Sequence, residues 1–224
     1  MARQLSFDLP AKAALGRADF YVSPANGMAV AMIEADWPGN RLVLSGPAGS
    51  GKTHLAHVWS AATGAPILPA RDLAGADLPA LAGGPVAIED VPQIAGDAAA
   101  LQALFHLYNM AGAAGQPLLL TGRGAPRHWN LALADIQSRV DAACHVALDA
   151  PDDALLAAVL AKLFADRQIA PKPEVIPYLV RHMERSFEAA AAMVEMLDKA
   201  ALDEGRTLSR ALAARLIGGG AETS

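Results

Sequence analysis

Eight consecutive residues early in the chain have the types and spacing of a phosphate-binding loop. They run from Gly46 to Thr53, read Gly-Pro-Ala-Gly-Ser-Gly-Lys-Thr, and fit the pattern G-x-x-x-x-G-K-[ST]. In such a loop, glycines let backbone N–H groups surround phosphate oxygens, and the N-terminus of the next helix adds positive potential. Lys52 can reach the terminal phosphates, and the Thr53 hydroxyl can ligate Mg²⁺. The composition gives roughly 0.002 chance matches, so the pattern predicts a nucleoside phosphate site. The expected ligand contacts in this stretch are Pro47, Ala48, Gly49, Ser50, Gly51, Lys52, Thr53 and His54.

Two acidic residues, Glu89 and Asp90, follow the apolar run from Val86 to Ile88. Many strands end in an acid before a turn, so this pattern is weak by itself. If the run is a parallel strand beside the loop, both carboxylates lie at the C-terminal edge of the sheet, next to the phosphates. Acids there can hold Mg²⁺ through water and polarise an attacking water. We therefore expect Glu89 and Asp90 to be catalytic, and Thr53 and Glu89 to hold Mg²⁺.

The elements that must position these groups alternate between short apolar runs and helical stretches. Five runs predict strands: Leu42–Ser45, Pro66–Pro69, Pro85–Glu89, Leu118–Thr121 and His145–Leu148. Short apolar strands separated by helices indicate a parallel sheet covered on both faces, hence an α/β fold. After Pro151 the apolar spacing is helical throughout and predicts a small bundle. We expect three parts: a flexible tail at 1–12, a nucleotide-binding base at 13–150 and a helical part at 151–224.

The bulk properties narrow the class of protein. The 224 residues carry 18 Lys and Arg against 23 Asp and Glu, a formal net charge of −5. That balance disfavours a DNA-reading module, which needs basic residues to neutralise phosphates. The single cysteine, Cys144, can form no internal disulfide, and no run is long enough to span a membrane or act as a signal peptide. We therefore expect a cytoplasmic protein without a membrane partner.

With the loop and the acidic strand end, several later stretches resemble the DnaA-related branch of the AAA+ ATPases. The resemblance runs from about Ala18 to Ile217. The stretches that carry it are Asp19–Val22, Phe105–Asn109, Leu118–Pro126, Asp135–Arg139 and Met183–Glu188. It implies an AAA+ fold with a five-stranded parallel sheet and a C-terminal helical lid, and ADP or ATP with Mg²⁺ as cofactors.

The resemblance also implies roles for individual residues. Phe20, Tyr21 and Val22 match the segment that family members lay against adenine, although they can also be plain core residues. Arg139 matches the arginine finger, a guanidinium that acts in trans on the nucleotide of a neighbouring subunit. Arg185 matches the sensor 2 arginine, a phosphate partner. For both arginines, a solvated surface charge is the alternative.

The first residues resemble a peptide with which bacterial proteins dock into the sliding clamp of DNA polymerase. The residues of this peptide are Gln4, Leu5, Ser6, Phe7, Asp8 and Leu9. Its apolar side chains suit a hydrophobic groove, and Gln4 can fix the register by hydrogen bonds. No helix-turn-helix domain is expected after the bundle, unlike in DnaA itself. Together these features resemble the Hda-type regulators, which implies two partners, DnaA and the β subunit clamp of DNA polymerase III. A homodimer is possible, and DNA contact is at most indirect.

Two positions depart from the family pattern. Glu89 stands where the family usually has Asp, and Arg123 stands at the sensor 1 position, where the family often has an acid. For that reason we expect weak or no ATP hydrolysis by this chain, with ADP as a stable ligand. Two other functions stay open: a DnaA-related loader or DNA-positioning ATPase that turns over ATP itself, and a small-molecule kinase built on the same loop.

Overall fold

A computed structural model of the protein describes residues 22–204 and 208–219. The predicted clamp peptide from Gln4 to Leu9, together with Phe20 and Tyr21, lies outside the described residues. Those predictions therefore stay predictions. No helix in the described part of the chain is long and apolar enough to cross a membrane.

The predicted five-stranded parallel sheet is confirmed. Its strands are β1 (Arg41–Ser45), β2 (Ile67–Pro69), β3 (Val86–Glu89), β4 (Leu118–Gly122) and β5 (Cys144–Ala147). Their order across the sheet is β2-β3-β4-β1-β5, so β1 lies between β4 and β5. All pairings are parallel, with Ser45 beside Gly122 on one side and Ala147 on the other. The C-terminal ends of all strands therefore lie at one edge of the sheet.

Helices cover both faces of the sheet, which is why consecutive residues of its central strands, such as residues 42–44 and 118–120, are apolar. The helices of this part are α1 (Gly27–Ile33), α2 (Lys52–Thr63), α3 (Leu78–Ala82), α4 (Ala98–Ala113) and α5 (Ala134–Ala142). On one face, Val43 and Leu120 pack with the apolar side chains of α3, α4 and α5. On the other face, Leu42 and Leu119 pack with those of α1 and α2. Alternate residues of one strand thus belong to two different cores.

The C-terminal part is helical, as predicted. It consists of α6 (Asp153–Asp166), α7 (Val175–His182), α8 (Phe187–Glu204) and α9 (Arg210–Gly219). These helices share a third core centred on fully buried residues such as Leu160, Leu179 and Val194. Asp152 caps α6, because its carboxylate accepts the N–H of Leu155 at 2.7 Å.

Candidate nucleotide site

The loop between β1 and α2 has a backbone that requires glycine at several positions. Gly49 and Gly51 have φ of 64° and 97°, in the region that side chains disfavour. Both also lie directly under the start of α8. A Cβ on Gly49 would overlap the Cβ of Ser186, and a Cβ on Gly51 would lie 2.9 Å from Phe187 Cε2. The glycines therefore permit both the turn and the close approach of the C-terminal helices.

Lys52 is the first residue of α2, and its side chain folds back over the loop. The ammonium group donates to the carbonyl oxygens of Gly46 at 3.0 Å and Pro47 at 2.6 Å. Only 7% of the residue is exposed. Burial lowers the pKa of Lys52, and Arg123 lowers it further, whereas Asp90, Glu188 and Glu89 raise it. The lysine thus lies among the charged groups expected around a polyphosphate.

The two acids at the end of β3 lie at the same edge of the sheet as the loop. Asp90 has a left-handed backbone, φ 55°, and its N–H donates to Thr121 Oγ1 at 3.2 Å. Glu89 Oε1 is buried and has no hydrogen-bond partner among the described residues. A buried carboxylate oxygen without a partner is unfavourable unless a cation or water satisfies it. Glu89 and the exposed Thr53 therefore fit a Mg²⁺ held through water beside a bound phosphate.

The end of β4 completes this edge. Thr121 is buried and orients Asp90, while Arg123 is exposed and acts on Lys52 through its charge. Gly122 leaves room for Pro92, whose Cδ would lie 2.6 Å from a Cβ there. No function was assigned to Thr121 in the sequence analysis. The signal was present, because a single hydroxyl that ends a buried apolar strand next to an acidic strand end needs a polar partner.

The start of α8 also contributes to the site; this stretch was named in the sequence analysis for Arg185, but no role was assigned there to Phe187 or Glu188. The Phe187 N–H donates to the Gly49 carbonyl at 3.0 Å, and Glu188 is close enough to raise the pKa of Lys52. The neighbouring Arg185 pairs with Asp153 and donates to the Pro151 carbonyl at 3.1 Å. Its side chain is about half exposed and lies at the start of α6. Its predicted contact with phosphate stays a prediction.

The remaining predicted contacts surround the loop. Pro47 is exposed, Ala48 and His54 are half-buried, and Ser50 is buried with its hydroxyl 3.4 Å from the ammonium nitrogen of Lys52. Val22, the first described residue, is 46% exposed. The described residues include no group of three or more His, Cys, Asp or Glu that could hold a metal ion.

Arg139 lies in the last turn of α5, away from the loop. It lines a cleft of about 420 Å³ together with Gly39, Arg41 and Ala143. Arg41 opens β1, and the loop follows Ser45 at the other end of that strand. The four steps of strand from Arg41 to Ser45 separate the two ends by roughly 13 Å. Arg139, which is exposed, is therefore at the opposite edge of the sheet from Lys52.

Comparison with known structures identifies the fold. Domain III of the replication initiation protein DnaA from Thermotoga maritima superposes with a TM-score of 0.77 at 18% identity, covering 93% of this chain and 97% of that one. AMPPCP-bound DnaA from Aquifex aeolicus gives 0.67 at 17% identity, covering 80% of this chain and 63% of the other. A single-site mutant of Thermotoga maritima RuvB gives 0.61 at 15%, covering 78% and 60%. No family model and no curated protein sequence matches the chain. The fold is the AAA+ fold predicted from the sequence.

Proposed function

We propose that the chain is an Hda-type regulator of replication initiation. In this role it binds ADP or ATP at the loop from Gly46 to Thr53 and docks on the sliding clamp through Gln4 to Leu9. It then supplies Arg139 to ATP-bound DnaA and stimulates hydrolysis of that ATP. The observation that carries the proposal is the position of Arg139, exposed at the sheet edge opposite the chain's own loop.

Binding of a nucleotide follows from the chemistry of the loop. The loop amides and the N-terminus of α2 offer donors to phosphate oxygens, and Lys52 supplies a positive charge. A phosphate would replace the carbonyls of Gly46 and Pro47 as the partners of the ammonium group. Thr53, Glu89 and Asp90 would hold Mg²⁺ directly or through water, and that ion neutralises charge on the phosphates. AMPPCP is bound by a DnaA of the same fold, which supports an adenine nucleotide here.

The position of Arg139 explains why it would act in trans. An arginine side chain cannot bridge from the cleft beside Gly39 to the phosphates above Ser45, because the length of β1 lies between them. Arg123, and not Arg139, is the arginine whose charge acts on Lys52. An exposed guanidinium at the far edge suits the phosphate of a neighbouring subunit, where it can be worth about a thousandfold or more in rate.

Two residues near the chain's own loop support a regulator rather than an independent motor. Arg123, at the end of β4, places a second positive charge near Lys52. Glu89 stands where the related family usually has the shorter Asp. Both argue for slow hydrolysis in the chain's own site, with ADP as the stable ligand. A homodimer would use the same two edges, because Arg139 of one copy needs the nucleotide of another.

The test is hydrolysis of ATP pre-bound to DnaA, measured with and without clamp loaded on DNA. The wild-type protein should accelerate hydrolysis only when the loaded clamp is present. The double variant Gln4→Ala/Leu5→Ala should not accelerate hydrolysis even with the loaded clamp. If the chain instead hydrolyses its own ATP and DNA stimulates it, it is an ATP-driven loader and the proposal is wrong.

A further inference from the structure

The guanidinium of Arg139 is not free in solvent but lies over aromatic rings. Its Cζ is 5.2 Å from the centre of the Phe105 ring and 5.7 Å from that of the Tyr108 ring. The Tyr108 hydroxyl also donates to the backbone carbonyl of Arg139 at 3.4 Å. No ion pair of Arg139 is found in the described part of the chain. Its position is therefore set by rings, and its charge stays available to an external anion.

Tyr108 is itself anchored by a second arginine. The Cζ of Arg41 lies 4.6 Å from the centre of the Tyr108 ring, and its Nη2 donates to the Tyr108 carbonyl at 2.9 Å. The other terminal nitrogen donates to the carbonyls of Asn40 at 2.8 Å and Gln116 at 2.9 Å. Arg41 is 4% exposed, so these bonds hold it rigidly at the start of β1. The tyrosine ring is thus fixed between a buried strand and the exposed Arg139.

We propose that Tyr108 is a positioning residue for Arg139, and that Arg41 fixes Tyr108 for this purpose. The inference rests on the proposed function, since it takes Arg139 as the residue that acts on a partner's nucleotide. An unrestrained arginine samples many rotamers, and holding one of them before the partner docks removes that entropy cost from the reaction. Phe105 shares the contact, but of the two rings only that of Tyr108 also contacts the buried Arg41 among the described residues.

The arrangement is measurable in the isolated protein by NMR of its arginine side chains. Protons over an aromatic ring resonate upfield, so Arg139 should give an upfield-shifted side-chain signal that disappears in Arg139→Ala. In Tyr108→Leu that signal should move toward the ordinary arginine position. In Tyr108→Phe, which keeps the ring and loses only the hydroxyl, it should persist. Tyr178→Leu is the matched control, because Tyr178 lies in the helical bundle and contacts Arg210 and His182 instead.

The second readout is hydrolysis of DnaA-bound ATP at increasing concentrations of the protein. Tyr108→Leu should lower the maximal rate about fivefold, with an unchanged half-saturating concentration, because docking is intact. Tyr108→Phe and Tyr178→Leu should match the wild type. If the Arg139 signal moves toward the ordinary arginine position in Tyr108→Leu but the hydrolysis rate stays normal, the inference is overturned. It is also overturned if the signal does not move in that variant. If Arg139→Ala itself stimulates like the wild type, the proposed function fails, while the NMR result still decides whether Tyr108 positions the arginine.

Discussion

The backbone N–H of Phe187 donates a 3.0 Å hydrogen bond to the carbonyl of Gly49, so the first turn of α8 packs directly on the predicted phosphate-binding loop. The C-terminal helices therefore contact the loop that is predicted to bind the phosphates. Ser186 and Glu188 flank the same contact, one by packing on Gly49 and the other by its charge near Lys52.

Because of this contact, even the methyl group of an alanine at position 49 would overlap Ser186. Gly49→Ala should lower the free energy of unfolding by about 1–3 kcal/mol more than Gly115→Ala does. Both glycines have similar φ, 64° and 68°, but a Cβ on Gly115 meets nothing within 4 Å. The comparison, made by urea denaturation without nucleotide, separates the collision with Ser186 from backbone strain. Equal losses in the two variants would show that α8 does not pack on the loop.

The pKa of Lys52 predicts a pH dependence of stability. Burial is the largest cause that lowers it below its ordinary value of 10.5, so the unfolded chain binds this proton more tightly than the folded one. The penalty of burying the charge is then present below the folded pKa and is relieved as pH rises toward 10.5. Stability of the wild type relative to Lys52→Met, without nucleotide, should therefore increase through this alkaline range. A flat difference from neutral pH upward would contradict the burial of a charged amine.

Lys52→Met should also abolish binding of adenine nucleotide. The variant keeps an unbranched side chain that is one atom shorter, and it removes the charge that would face the phosphates. Equilibrium binding of a fluorescent ADP analogue measures the effect. As a control, Lys162→Met removes a charge that pairs with Asp166 on α6, so it should bind normally. Normal binding by Lys52→Met would argue against a nucleotide site at this loop.

Thr121 should matter for the metal-dependent part of binding. Thr121→Val keeps the shape and leaves the Asp90 N–H without its acceptor, which costs on the order of 1–3 kcal/mol in a buried setting. We expect weaker nucleotide binding in the presence of Mg²⁺, because Asp90 and the adjacent Glu89 lose their fixed position. Thr121→Ser retains the hydroxyl and should bind as the wild type does. If valine and serine behave alike, the hydroxyl does not orient the acids.

Arg185 offers a test between its observed and its predicted partner. Its pair with Asp153 is largely exposed, so breaking it should change stability by less than about 1 kcal/mol. If Arg185 reaches the phosphates when a nucleotide binds, Arg185→Ala should weaken nucleotide affinity, and Asp153→Asn should leave it equal or tighter. Calorimetric titration with ADP and ATP measures both. Unchanged affinity in Arg185→Ala would leave the arginine as a surface charge that links α6 to α8.

The sequence predicted the sheet and the loop because both depend on local patterns. Apolar strands that are buried on both faces, such as Leu118–Gly122, are continuous in the sequence, and the loop motif is contiguous. The sequence could not predict the features that depend on contacts between distant segments. Phe187 meets Gly49 across more than a hundred residues, and Tyr108 meets Arg41 through a buried guanidinium held by carbonyls. Neither pairing has a sequence signal, because each is created only when the helices pack on the sheet.

The central claim is that Arg139 acts on a nucleotide bound to DnaA. The most direct measurement is single-turnover hydrolysis of ATP pre-bound to DnaA, with DNA-loaded clamp, comparing the wild type with Arg139→Ala and Arg71→Ala. Arg71 is also an exposed arginine, beside Asp72, and serves as the matched control. We predict strong stimulation by the wild type and Arg71→Ala, and a loss of about a thousandfold in Arg139→Ala with clamp binding intact. Full stimulation by Arg139→Ala would contradict the account.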